Sequence, residues 1–535
     1  MTGLEHHTSL VDKLLAEQAQ LGTAVERFAD WHERDGHAEP LQARHYRSLI
    51  PMLKPQRGEQ YAFEVNLDQC TGCKACVAAC HSLNGLDDDE SWRDVGLLVG
   101  DVYIPYQQTI TTACHHCADP ACANGCPVLA YEKDPETGIV RHLDDQCIGC
   151  SYCILKCPYD VPKFNKRRGI VRKCDMCHQR LSVGEAPACV QSCPNGAIAI
   201  RVVDIAEVTA RAAQPAERVL PDSFTSSYTK PTTRYMTDKV VPASAQSPSR
   251  HELVLEEAHW PLAWMLVLTQ MAAGLFVAAA VAAGNSSASS LVSLAGCAVL
   301  AVGLTASVMH LGQPLRAWRC FLGWRKSWLS REILAFGGFF KVGVIAWWFN
   351  WPLLLAAASM VGLASVYCSA MVYIDTQRSF WKAGVTFPKF FGTTLLLGTA
   401  GAAALLACMP GHAETHRLTQ AFALAATVIR MGLFAFEQRG MRRAAMDPDR
   451  DWHRSAKTLM KLRSGTLDSR LILVGVSTVL GVMSLISVAG MTALWAVLSL
   501  AATFASQVLE RHLFFVGVTA PRMPGVVPVH SSHRT

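Results

Sequence analysis

The chain has 535 residues, half of them hydrophobic and 17% charged, with a net charge of +6 and twenty cysteines. It is too apolar for a disordered chain, too long for a small disulfide scaffold, and too weakly basic for a nucleic-acid binder. What remains is a membrane protein, a cysteine-rich metalloprotein, or a chain that is both.

Charge and cysteine are unevenly spread. Residues 1–250 carry 26 Lys and Arg against 31 Asp and Glu, whereas residues 251–535 carry 23 against 12. Sixteen cysteines lie from Cys70 to Cys193. Cys297, Cys320, Cys368 and Cys408 lie beyond them and read as small apolar packing residues. These shifts divide the chain into an N-terminal extension (1–60), a cysteine-rich domain (61–210), an extended Ser/Thr/Pro-rich linker (211–255), an apolar half (256–515) and a C-terminal tail (516–535).

The extension has neither an apolar signal core nor a twin arginine, so the cysteine-rich half is expected to stay unexported. Leu10, Leu14, Leu21, Val25 and Phe28 recur at helical spacing and predict an amphipathic helix, interrupted by Gln18. Tyr61–Leu67 and Ile198–Val203 read as strands flanking the cysteine loops.

The sixteen cysteines form four quartets: Cys70, Cys73, Cys76 and Cys80; Cys114, Cys117, Cys122 and Cys126; Cys147, Cys150, Cys153 and Cys157; Cys174, Cys177, Cys189 and Cys193. Pro127, Pro158 and Pro194 follow the last three. C-x2-C-x2-C-x3-C-P is the ligand run of two-cluster ferredoxins, in which the fourth cysteine serves the other cluster. The third quartet matches it in full, the first lacks only the proline, and the others stretch the middle gap. Structural zinc needs only paired C-x2-C units and does not call for the remaining cysteines. Sixteen thiolates therefore suit four [4Fe–4S] clusters. Neither a P-loop nor a Gly-rich dinucleotide fingerprint accompanies them, so this half reads as a wire rather than an active site. Lys156, Lys163, Lys166, Arg167, Arg168, Arg172 and Lys173 lie among the last two quartets, as a solvated face or as charge that raises cluster potentials.

In the apolar half, eight stretches are long enough to span a bilayer: 260–282, 290–310, 332–350, 352–374, 389–409, 418–437, 470–489 and 492–510. Arg316, Arg319, Arg325, Lys326 and Arg331 follow the second, Arg378, Lys382 and Lys389 the fourth, and nine Lys and Arg from Arg439 to Arg470 the sixth. The opposite connections hold only Arg417. The asymmetry predicts a bacterial inner-membrane protein with its cysteine-rich domain facing the cytoplasm.

The segments CTGCKACVAAC from Cys70, CHHCADPACANGCP from Cys114, CIGCSYCILKCP from Cys147 and CDMC with CVQSCP from Cys174 resemble the iron–sulfur subunit of the dimethyl sulfoxide reductase family of molybdoenzymes. HWPLAWMLVLTQMAAGLF from His259, HLGQPLRAW from His310 and SWLSREI from Ser327 resemble the membrane subunit of the same family. The departure is that two subunits usually encoded apart are fused. The resemblance implies an α+β ferredoxin-like four-cluster domain joined to an all-α eight-helix transmembrane bundle. It further implies that Cys70, Cys73 and Cys76 share a cluster with Cys193, and Cys174, Cys177 and Cys189 with Cys80. Likewise Cys114, Cys117 and Cys122 go with Cys157, and Cys147, Cys150 and Cys153 with Cys126. Members lacking the second cysteine of the third quartet hold a three-iron cluster; Cys150 is present here, so four full cubanes are expected. The implied partners are membrane lipid, an exchangeable quinone or quinol, and a separate molybdopterin-containing catalytic subunit.

A quinone site needs apolar walls and a few groups that move protons. Ionisable residues inside spans default to function, which nominates His310, Glu332, Lys341, Asp375 and Arg430, with His310, Arg430 and Asp375 taken as the site. His310 is the best proton acceptor among them. Glu332 and Asp375 have Arg331 and Arg378 as ready interfacial partners, and Lys341 and Arg430 are long enough to snorkel. Two histidines suited to a haem on facing helices are not found, so no haem is expected. The expected function is electron transfer between quinone pool and catalytic partner. A membrane scaffold or redox sensor with structural clusters is the alternative.

Overall fold

The computed structural model describes residues 43–100, 105–256, 258–409, 412–447, 452–487 and 491–524, with five helical positions among residues 10–16. Leu10, Val11 and Leu14 are helical and exposed there. Gln18, Leu21, Val25 and Phe28 lie outside the described residues.

The cysteine-rich half is built on small sheets. Strand β1 (Glu59–Asn66) pairs antiparallel with β8 (Ile198–Asp204), and Phe63 opposes Ile200 and Val65 opposes Ile198. All four of these side chains are buried, as apolar strands between loops require. The other neighbour of β1 is β9 (Arg234–Met236), which runs parallel to it. Residues 211–255 thus contribute a strand to this sheet. Among the described residues, three further antiparallel pairs form: β2 (Asp94–Val99) with β3 (Gln107–Thr112), β4 (Tyr131–Lys133) with β5 (Val140–His142), and β6 (Lys163–Asn165) with β7 (Ile170–Arg172).

Among the described residues, eight helices are long and apolar enough to cross a membrane: Trp260–Val281, Ser286–Val308, Trp328–Phe349, Pro352–Ile374, Ala383–Ala407, Glu414–Met446, Ser464–Ile486 and Thr492–Val516. They are called spans one to eight below. Their number matches the sequence reading, but several edges move outward. Spans five and seven begin six residues earlier than their apolar runs suggested, and span eight ends six residues later. Charged residues cut the apolar windows short while the helices continue.

Small residues let the spans approach closely. A Cβ added at Gly274 in span one would run into the Thr394 carbonyl oxygen and lie 2.7 Å from Gly398 Cα in span five. Backbone meets backbone here, the device that replaces the hydrophobic effect inside lipid. Gly274→Ala is therefore expected to destabilise the bundle by about 2–3 kcal/mol or more, read as a lowered thermal midpoint of the purified protein. Gly337→Ala, where an added Cβ meets nothing within 4 Å, should leave the midpoint unchanged.

Candidate cluster-binding centre and its membrane contact

The four quartets share one local design. The residue before the second cysteine takes a left-handed conformation in every case: Gly72, His116, Gly149 and Met176, with φ of 74°, 39°, 68° and 60°. The chain can then curl and turn its thiols inward. The third cysteine is in each case the second residue of a short helix: Ala75–Leu83, Ala121–Gly125, Tyr152–Lys156 and Ala188–Gln191. The first of these helices packs on the fourth, and the second on the third, which joins the quartets into two pairs.

Side-chain neighbours follow the same pairing. Cys70, Cys73, Cys76 and Cys193 line a single cavity. Cys80 faces Cys189 and Cys177, and also neighbours Cys174. Cys117 faces Cys114, Cys122 and Cys157. Cys153 faces Cys150, Cys147 and Cys126. Each set brings three cysteines of one quartet beside the last cysteine of another.

The chemistry of the donors fits iron–sulfur clusters. All sixteen thiols are free. Among the described residues, no three of His, Cys, Asp or Glu converge on a point that could hold a single metal ion. Burial pushes the Cys80 thiol up to about 12, and the Cys126, Cys157 and Cys177 thiols up to about 11. Such thiols become thiolates only where iron offsets the buried charge. Backbone amides already point at the sulfurs. Ala130 and Ala197 donate to Cys126 Sγ and Cys193 Sγ at 3.2 and 3.3 Å, each from four residues downstream, and Gly149 and Met176 donate to Cys147 Sγ and Cys174 Sγ at 3.4 Å.

The groups are strung in a definite order, with one polar side chain in each gap. Arg93 is 2% exposed and lies among Cys76, Cys80, Cys174 and Cys189, between the first and second groups. Its Nη1 donates to Thr111 Oγ1 at 3.1 Å, its guanidinium stacks 4.7 Å from the Phe63 ring centroid and faces Cys189, and its Nη2 completes no hydrogen bond among the described residues. Lys173, also 2% exposed, lies among Cys174, Cys114 and Cys122, between the second and third groups. Its Nζ reaches Cys114 Sγ at 3.6 Å and donates to the carbonyls of Cys174 and Val140. For both, burial works against the charge, yet the surrounding thiolates outweigh it and hold the pKa above its ordinary value. Tyr131 lies against Cys153 and Cys122, between the third and fourth groups.

The fourth group rests on the membrane half. Between spans two and three, Gln313 N donates to the Ile148 carbonyl at 3.0 Å, and Arg316 Nη1 to the carbonyls of Asp144 and Cys147. Gly312 and Gly149 touch so closely that a Cβ on Gly149 would lie 2.9 Å from Gly312 Cα. Cys320 neighbours Cys150 and Cys126. After span four, Asp375 pairs with Lys156 at 2.7 Å, and Arg378 donates to the carbonyls of Leu155 and Ile154. Beyond span eight, Arg522 bridges Asp160 and Glu256. Lys156 and Lys173 are therefore structural cations of the interior, not a solvated face.

His310, Arg430 and Asp375 have separate surroundings, and no hydrogen bond or ion pair joins them among the described residues. His310 stands two residues beyond span two with its Nδ1 buried and unpartnered. Burial pushes its pKa down to about 4, with neighbouring His259 adding to the effect. Asp375 belongs to the seam, and its partner is Lys156 instead of Arg378. Arg430 faces Glu437 and Glu510. Glu332 is buried, while Arg331 turns to the carbonyls of Trp324 and Arg325. Lys341 is on an exposed face of span three. Sequence reasoning missed Arg93 and Tyr131, which are single residues outside any spacing pattern. It also missed Glu437, Glu510 and Arg511, whose charges cluster only through the fold.

Residues 106–203 match the family model of a 4Fe-4S dicluster domain, and residues 256–517 that of the DMSO reductase anchor subunit (DmsC). The B subunit of the anaerobic dimethyl sulfoxide reductase of Escherichia coli K12 is 38% identical over 157 residues, which cover 27% of this chain and 75% of that protein. The corresponding B subunit of Haemophilus influenzae is 36% identical over 160 residues, 28% of this chain and 75% of that protein. The iron–sulfur subunit of the nitrate-inducible formate dehydrogenase of Escherichia coli K12 is 33% identical over 176 residues, 30% of this chain and 56% of that protein. A cluster domain built of small sheets, docked on eight membrane-length helices and matched along both halves, leads to one conclusion: the chain belongs to the dimethyl sulfoxide reductase family, with an iron–sulfur domain and an anchor domain joined in one polypeptide.

Proposed function

We propose that the chain carries electrons between a membrane quinone and a molybdopterin-containing catalytic subunit through four [4Fe–4S] clusters. Bound there, the clusters would supply one-electron relay steps. The ligands are Cys70, Cys73, Cys76 and Cys193; Cys174, Cys177, Cys189 and Cys80; Cys114, Cys117, Cys122 and Cys157; and Cys147, Cys150, Cys153 and Cys126. The observation that carries this reading is the unbroken line of thiol groups ending on the loop between spans two and three. The opposite end, around the exposed Cys73, is left for the catalytic partner.

His310 sits in that same loop and accepts one of the two protons released as a quinol gives up two electrons, the second proton passing to water. Pushed down to about 4 by burial, it is neutral at physiological pH with Nδ1 free to accept. The distribution of positive charge supports a cluster domain on the cytoplasmic side. Arg316, Arg319, Arg325, Lys326, Arg378 and Lys382 lie in connections on the cluster side. The opposite connections, 282–285, 350–351, 408–412 and 487–491, contain no Lys or Arg.

Mixing a quinol analogue with the purified complex and following the clusters by EPR tests the proposal. The wild type is expected to reduce its clusters, and His310→Ala to slow this by about 10²-fold, the low end of general-base contributions. The His310-dependent rate should be flat above about pH 5.5 and fall as pH approaches 4, where the imidazole becomes charged. Unchanged kinetics in a normally assembled variant would remove His310. No reduction by any quinol in the wild type would remove the quinone route.

A further inference from the structure

We propose that spans five to eight enclose a binding site for a phosphate-class oxyanion, either free phosphate or a phospholipid headgroup. Lys389 of span five, Arg430 and Glu437 of span six, Arg470 of span seven and Glu510 and Arg511 of span eight converge inside the bundle. Lys389 is 6% exposed, Arg430 3%, Arg470 4%, and Glu510 and Arg511 0%. The site stands apart from the cluster domain and does not depend on the electron-transfer reading.

Four cations here face two carboxylates. Lys389 reaches Glu510 at 3.1 Å, and the other pairs are looser: Arg511 to Glu510 at 3.5 Å, Arg430 to Glu510 at 3.6 Å and to Glu437 at 3.8 Å, and Lys389 to Glu437 at 3.7 Å. Separations of this size leave donors without hydrogen bonds. Among the described residues, all three guanidinium nitrogens of Arg430 lack a hydrogen-bond partner, as do Nε and Nη1 of Arg511, Nε of Arg470, Nε2 of the buried Gln507 and both carboxylate oxygens of Glu510, so seven donors stand against two idle acceptor atoms. Two surplus positive charges and several idle donors within hydrocarbon-embedded helices are unfavourable on both counts.

An oxyanion resolves both. Its oxygens accept from several donors at once, and guanidinium forks match phosphate geometry. Water would satisfy the donors and leave the charge uncompensated. A proton relay fits poorly, because a net positive enclosure repels protons. Depth also fits a headgroup. Lys389 and Arg470 each lie six residues inside the start of their spans, about 9 Å along the helix, and Arg511 lies five residues before the end of span eight. These three are near the ends that face the cluster domain, where basic pockets between helices hold anionic headgroups, while Arg430 stands midway along span six, 16 residues from its end.

The test is phosphorus retention by the full chain, purified apart from its catalytic partner, whose pterin cofactor itself contains phosphate, through repeated detergent exchange in phosphate-free buffer. The wild type is expected to keep about one phosphorus per chain, with Arg430→Gln and Arg470→Gln each lowering it about fivefold or more. Recovery in the organic extract, identified by mass spectrometry, assigns a phospholipid; recovery in the aqueous fraction assigns free phosphate. Where a variant fails to assemble, the thermal midpoint of delipidated wild type is read instead. It should rise on adding phosphatidylglycerol or inorganic phosphate and not on adding phosphatidylcholine or chloride. A wild type that retains no phosphorus and shows no such rise would overturn the proposal.

Discussion

Replacing Cys147 with Ser should uncouple the cluster domain from the membrane. Cys147 belongs to the group that touches the loop between spans two and three, its Sγ accepts from Gly149 N at 3.4 Å, and its carbonyl holds Arg316. Tyr131, Lys173 and Arg93 mark a line of gaps that leads from this group through the other three, although Arg378, after span four, also neighbours Cys157 of the third group. Loss of an outer-shell partner alone reduces affinity or activity about 10–100-fold. Loss of a thiolate at the entry point should therefore lower quinol-linked reduction of the remaining clusters by about 100-fold or more. Cys73→Ser, at the far end, is the control. It should leave quinol-linked reduction of the other three groups intact and stop delivery to the catalytic partner. EPR spectra taken with a quinol, and separately with a chemical reductant, distinguish a blocked entry from a collapsed domain. Fast quinol-linked reduction in Cys147→Ser would place electron entry elsewhere.

Legibility in the sequence followed the range of the interactions involved. Quartet spacing is local, since the first three thiols span seven residues in the first and third quartets, nine in the second and sixteen in the fourth, and so it reads directly from the chain. The pairing of Cys193 with the first quartet, over a hundred residues away, entered through family resemblance, and the side-chain neighbours follow it. Arg93 carries no such signal. Its role arises because β2 brings it beneath two loops that are distant in sequence. The spans were legible as apolar runs, yet their ends were not. Lys389, Arg470, Glu510 and Arg511 mark the edges at which apolar counting stopped, and they lie inside helices because they face one another. A hydropathy window treats each charge as a cost paid alone, so mutual pairing across spans is invisible to it. Asp375 shows the same limit. Its neighbours in sequence suggested Arg378, while the partner that matters, Lys156, comes from the other half of the chain.

Replacing Arg93 with Met should lower the midpoint potentials of the first and second clusters by about 100 mV. A reduced cluster carries one more negative charge than an oxidised one, so a fixed cation nearby stabilises the reduced form and raises the potential. A unit charge roughly 6–7 Å away, at an effective dielectric constant of about 20, contributes about 2.5 kcal/mol, which is close to 100 mV for one electron. Arg93 makes no ion pair with a carboxylate among the described residues that would cancel this field, and it is too buried for solvent to screen it. Arg93→Lys keeps the charge and should restore most of the potential, which separates an electrostatic role from one of packing against Phe63. Lys173→Met should act one gap further along, lowering the second and third potentials while sparing the first. Redox titration followed by EPR reads both outcomes from which signals move. If all four potentials shifted together, or if Arg93→Lys moved them as far as Arg93→Met, the charge would not act locally. The order of groups inferred from these neighbours would then lose its support. If the pattern holds, the two variants identify each signal with its own quartet, because only the second cluster lies beside both cations.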